Sequence, residues 1–277
     1  MTETVTIGHG PWTARIDPLG AQLRGLAKDG VELLWPGDPD GWKDTAPWLF
    51  PVVGRLWEDC LRCDGAVHPH PMHGLVRRER FELVEHAADR LRLRLERAAC
   101  EAFPWDYTLD IGFSLGGEGL AVQVRVVNSS CDRELPFQLG WHPGFAGCSF
   151  RVAWERPQPL EILEVVPGEG WRTGTVRRLG EDLTEFVWEE QPTAWVTGLE
   201  ARVLRLEGGA FPLRLHVEPA PLAWVFWQRP GQEFLCLEPW FGLPDKVGET
   251  CGCEDREGTR RLGPGEEWSV TMGIGVV

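Results

Sequence analysis

The chain reads as an all-β protein, on three observations: a turn-rich composition, strict period-two alternation of apolar residues, and glycine-marked connections between the alternating runs. Of 277 residues, 33 are Gly and 22 Pro, against only 3 Met and 1 Tyr. That balance favours short strands joined by turns over helix bundles. A hydrophobic content of 43% is enough to bury a large core. No stretch has the composition of a flexible tether, so residues 1–277 are expected to form one domain, with residues 167–174 and 242–265 as surface loops.

The alternation gives the elements in order. Leu91, Leu93 and Leu95 interleave with Arg92 and Arg94, and Tyr107, Leu109, Ile111, Phe113 and Leu115 interleave with Thr108, Asp110, Gly112 and Ser114. Each run is a strand with one buried face. Leu120, Val122, Val124 and Val126 follow after Gly116-Gly117-Glu118-Gly119, where glycine supplies the positive φ that closes a hairpin. Three neighbouring antiparallel strands are therefore expected. Similar runs occur at Leu213 to Val217, Leu222 to Trp227 and Trp268 to Val276. No 3.6-residue apolar stripe lasts beyond about two turns, so helices are expected to be few and short. The sum is a large antiparallel sandwich.

Net charge narrows the partners. A formal −14 repels nucleic-acid phosphates and anionic membrane surfaces, while a neutral small molecule is not disfavoured. Residues 1–10 lack the basic start and apolar run of a signal peptide, and no segment approaches the roughly 20 apolar residues of a membrane span. A cytoplasmic location is expected, and with it eight mostly reduced cysteines. Cys60-x-x-Cys63, followed by His68, His70 and His73, offers zinc-type ligands, as does Cys251-x-Cys253. Neither has a second half at finger or ribbon spacing, and the first lacks the helix start of a redox motif. His68 and His70, flanking Pro69, read as exposed turn residues, and His216 as a solvated neighbour of Arg214.

Two strand segments place titratable groups. From Glu134 to His142, Leu135, Phe137, Leu139 and Trp141 share one side, and Gln138, Gly140 and His142 the other. Leu235 and Leu237 oppose Cys236 and Glu238, and Pro239 keeps Glu238 extended. A carboxylate beside Trp240 is partly desolvated, which raises its basicity, and an imidazole is the complementary acid near neutral pH. From the residues alone, a structural role remains an alternative for both.

Four segments carry a resemblance. Leu49-Phe50-Pro51-Val52-Val53-Gly54-Arg55-Leu56, Met72-His73-Gly74-Leu75-Val76-Arg77, Leu139-Gly140-Trp141-His142-Pro143-Gly144-Phe145 and Leu237-Glu238-Pro239-Trp240-Phe241-Gly242 together resemble the aldose 1-epimerase (galactose mutarotase-like) superfamily, most closely its LacX-like branch. The resemblance implies a β-supersandwich and interconversion of the α and β anomers of a free aldose without metal or nucleotide cofactor. It implies Glu238 as the base at the C1 hydroxyl, His142 as the acid at the ring oxygen, and Arg55 and His73 as holders of the sugar. Each holder has a plain alternative: Arg55 as a tie for the loop of residues 51–59, His73 as the acceptor of a buried N–H. Trp141 and Trp240 are candidates for stacking on a pyranose face or for core packing. The family's upstream aspartate has no clean match in the acidic stretch 181–190, and Trp141 and Gly144 depart from the archetypal neighbours of the histidine.

Two other classes stay open. A related branch acts on hexose 6-phosphates, for which Arg77, Arg78 and Arg80 offer cations; strand parity would put Arg78 and Arg80 on one face and Arg77 on the other. A non-catalytic sugar-binding module would keep the fold without needing both Glu238 and His142.

Overall fold

The structure is a computed structural model and describes residues 4–188 and 193–277. Its frame is a 15-stranded sheet in which every neighbouring pair is antiparallel. It runs from Trp48–Leu49 at one edge through Gly140–Trp141, Phe234–Trp240 and Ala223–Trp227 to Glu82–His86 at the other. A four-stranded sheet from the first 32 residues packs on the Arg90–Arg97 and Tyr107–Gly116 region. Among the described residues there is no α-helix, only 3-10 turns at Trp57–Asp59 and Val76–Arg78. None is a helix long and apolar enough to cross a membrane. The all-β reading stands, and so does the large antiparallel architecture.

The hairpins form where alternation puts them. Arg90–Arg97, Tyr107–Gly116 and Gly119–Asn128 pair antiparallel, with Leu109, Ile111 and Phe113 fully inward. At their turn the positive φ falls on Gly119, at +122°, and a Cβ there would lie 2.2 Å from the Ile274 carbonyl oxygen. The glycine is required by the next strand, Glu267–Val276, as much as by the turn.

One expected strand is broken. Residues 134–142 split into Leu135–Phe137, paired with Arg260–Leu262, and Gly140–Trp141, paired with Trp48 and Leu49 on one side and Trp240 on the other. The side-chain parity survives: Leu135, Phe137, Leu139 and Trp141 enter the main core. Gln138 is fully engaged by backbone groups. Its amide occupies the break, accepting from Val53 N–H and donating to the carbonyls of Leu243 and Glu257. A buried amide between two strand partners satisfies the backbone groups that the change of partner leaves unpaired.

The opposite face of the sheet carries a smaller apolar cluster of Leu49, Val53, Trp195, Val225 and Trp240, with Trp227 packed at its margin. That face holds the candidate site.

Candidate functional site

All four resembling segments are locked together by backbone pairing, with Gly140 set between Leu49 and Trp240. Leu75 N–H donates to the Phe50 carbonyl at 2.8 Å, and a Cβ on Gly74 would meet that same oxygen at 2.1 Å, so only glycine lets the chains approach. His142 N–H donates to Pro47 and Leu237 N–H to Pro143. Gly140 pairs with Trp240 and Gly144 with Cys236, so His142 falls level with Glu238 across the two strands.

The two side chains meet. His142 Nε2 lies 3.2 Å from Glu238 Oε1, both deeply buried, with Glu238 at 0% exposure. The partial desolvation expected of Glu238 is complete. Its other oxygen, Oε2, accepts a 2.9 Å hydrogen bond from Trp240 Nε1. The 3.2 Å contact is not aligned as a hydrogen bond, and among the described residues Glu238 Oε1 and His142 Nδ1 have no hydrogen-bond partner.

Burial sets the electrostatics. It pushes the Glu238 carboxyl well above the usual carboxylate range, against the opposing effect of the Trp240 N–H. The same desolvation lowers His142 to about 3, with the Arg77 charge adding to it. Both directions favour uncharged forms, so the pair at rest holds one proton, on the carboxyl.

His73 joins them. Its ring stands edge-on to His142 at 5.7 Å and to Trp240 at 5.9 Å between centroids. Its backbone is left-handed, φ +65°, an uncommon state for a residue with a Cβ. The strain is held by a two-way bond: His73 N–H donates to the Gly54 carbonyl at 2.7 Å, and Gly54 N–H donates to His73 Nδ1 at 3.1 Å. With Nδ1 accepting, the neutral ring carries its proton on Nε2 as a donor. Burial, then His142 and Arg77, hold this imidazole well below its ordinary value, hence neutral. The plain alternative, acceptance of a buried N–H, is realised.

Arg55 is engaged elsewhere. Its Nε and Nη2 donate to both oxygens of Asp59 at 2.7 and 2.8 Å, Nη1 donates to the Glu169 carboxylate at 3.0 Å and carbonyl at 3.2 Å, and the guanidinium lies over Trp171. It adjoins the site through Gly54 and stands near Met72, which also borders Gly170. The loop-tying alternative is thus realised through carboxylates more than carbonyls.

Several neighbours escaped the sequence reading. Trp42 stacks on His142 at 5.1 Å and on Phe234 at 5.1 Å, and Trp227 meets both Trp42 and His142 edge-on. The signal was Gly144: a Cβ there would lie 2.5 Å from the Trp42 ring. Trp141, by contrast, is core, stacked on Trp48. Cys236 shares the face of Glu238, as alternation required.

The remaining candidates separate. Arg77 is half-buried in the 3-10 turn and donates to the Met72 carbonyl, whereas Arg78 and Arg80 are exposed. The split expected from strand parity holds, though the segment is no strand. His70 is buried, not an exposed turn residue, and its Nδ1 bonds the Ala102 carbonyl at 2.9 Å. Cys60 and Cys63 gather no third His, Cys or carboxylate ligand among the described residues; nearby, the Cys253 thiol donates to Glu254 Oε2 at 3.2 Å. Of the acidic stretch 181–190, residues 189 and 190 lie outside the described residues, as do the side chains at 181 and 182.

Comparison with known proteins bears on the family and the fold. The family model described as aldose 1-epimerase matches residues 3–275. Protein LacX of Lactococcus lactis subsp. lactis is 26% identical over 289 residues, covering 94% of this chain and 95% of LacX. A galactose mutarotase-like protein from Lactobacillus casei superposes with a TM-score of 0.91 at 24% identity, covering 99% of this chain and 100% of that one. A galactose mutarotase related enzyme from Lactobacillus acidophilus gives 0.90 at 21% identity, covering 99% and 97%.

Proposed function

Because this chain belongs to the aldose 1-epimerase family, we propose that it interconverts the α and β anomers of a free aldose by acid/base opening of the ring, with Glu238 as the base and His142 as the acid. The observation that carries this is the 3.2 Å contact between His142 Nε2 and Glu238 Oε1 on a buried, Trp-walled sheet face. A hemiacetal carbon bears two oxygens, its hydroxyl and the ring oxygen. A base and an acid one contact apart suit that pair of neighbouring atoms.

The proton count fits both directions. Opening takes a proton from the C1 hydroxyl onto Glu238 and gives one to the ring oxygen from His142. The pair begins as carboxylate with imidazolium and ends as carboxylic acid with neutral imidazole. Closure after rotation about C1–C2 runs the reverse, and burial makes the end state the resting one. Sugar binding that replaces lost solvation with hydroxyl contacts then favours the charged state. His73, neutral and donating through Nε2, holds a substrate oxygen. Arg55 contributes at the rim, where Asp59 and Glu169 offset its charge; this supports a neutral sugar over a hexose 6-phosphate.

NMR exchange on α-glucose and α-galactose tests the proposal. Exchange well above the buffer rate, abolished by Glu238→Gln, is expected. Equal rates for wild type, variant and buffer would sink the reading for those sugars. Glucose 6-phosphate in the same panel separates the phosphate branch, and binding without exchange would identify a sugar-binding module.

A further inference from the structure

We propose that Cys236, His142 and Glu238 form a binding site for a borderline-soft divalent cation of the zinc type, and that loading it silences the acid/base pair. The imidazole nitrogen, the thiol sulfur and a carboxylate oxygen all lie within 4.8 Å of one another, and all three residues are buried. Ring opening asks nothing of Cys236. Its place follows from the strand: two residues before Glu238, it projects from the same face toward the chain that carries His142.

The His142–Glu238 separation fits adjacent ligands of a tetrahedral ion. Zinc bonds of roughly 2.0 to 2.2 Å separate adjacent nitrogen and oxygen ligands by about 3.3 Å, and His142 Nε2 stands 3.2 Å from Glu238 Oε1. That oxygen makes no hydrogen bond among the described residues, so a cation displaces none. Charge closes as well. One M²⁺ with a thiolate, a carboxylate and a neutral imidazole sums to zero, the state a buried site tolerates best. Binding releases two protons, one from the Cys236 thiol and one held by the pair, and leaves a coordination position for water.

The donor set selects the ion. Sulfur and imidazole suit zinc or cobalt and not magnesium, which demands oxygen ligands. The second shell is half built: Trp240 Nε1 orients the far oxygen of Glu238, while His142 Nδ1 has no acceptor among the described residues. A missing partner of this kind weakens metal affinity by about 10- to 100-fold. The site therefore suits reversible inhibition better than a resident ion.

Only the silencing rests on the epimerase reading; the binding is measured independently. Zinc is titrated calorimetrically, and cobalt by absorbance, into wild type, Cys236→Ser and Cys236→Ala, with magnesium as control and anomer exchange followed in parallel. Expected are one zinc per chain undisturbed by magnesium, a thiolate-to-cobalt charge-transfer band, and about tenfold or greater weakening in both variants. Wild-type exchange should fall with the calorimetric midpoint, while Cys236→Ser keeps its exchange and resists zinc. Absence of stoichiometric binding, or binding undiminished in both variants, as exposed Cys131 and Cys148 would give, overturns the site. Cys236-dependent binding in a chain without anomer exchange leaves the site standing and removes the epimerase reading.

Discussion

Gly144 and Trp42 are complementary: the bare α-carbon of Gly144 makes room for the indole that stacks on His142, and a single added Cβ would lie 2.5 Å from its ring. The same indole also stacks on Phe234 at 5.1 Å.

Gly144→Ala is therefore expected to disturb His142 more than the fold. Overpacking of this kind costs about 1–3 kcal/mol, a fall of a few degrees in Tm, roughly 2–4 °C per kcal/mol. On the proposed mechanism, displacement of the His142 ring should cost about tenfold or more in anomer exchange. Tryptophan fluorescence and thermal melts on the same sample check both. Full activity with an unmoved emission spectrum would contradict the clamp.

Trp240→Phe removes the N–H that holds Glu238 Oε2 while keeping an aromatic surface. A hydrogen bond to a charged group is worth about 1.5–3 kcal/mol. The bond strengthens only when Glu238 ionises, so the loss should fall on kcat, by about tenfold or more, with KM little changed.

Glu238→Gln and His142→Gln should each lower kcat by about 10² to 10⁴-fold. The double variant should be scarcely worse than either single one, because two groups that share one proton act as a unit. Additive losses would show that they work separately.

His70 gives a pH signature away from the site. Burial, above all, lowers it from 6.5 to about 4, with Arg256 and His68 adding to the depression against the Ala102 bond. The unfolded chain therefore binds the extra proton first, and stability falls as pH drops from about 6.5 toward about 4. This group contributes about 3 kcal/mol across that window at 1.36 kcal/mol per pH unit. His70→Asn keeps a donor for Ala102 but cannot ionise, so its urea midpoint should depend less on pH. Identical slopes for both proteins would refute the assignment.

Local patterns in the chain were enough to specify the all-β class, the pairing of residues 91–126, and the sides on which His142, Cys236 and Glu238 lie. Alternation is a property of consecutive residues, since the pleat turns each side chain opposite to the last. Ordered motifs placed the family. Tertiary structure decided everything that depends on which strand lies beside which: the break at Gln138, the meeting of His142 with Glu238, the stack of Trp42 against a histidine 100 residues away, and the capture of Arg55 by Glu169. It also turned His70 inward and put Trp141 in the core. Such neighbours are set by long-range register and by the space a missing Cβ leaves, and neither leaves a period in the sequence.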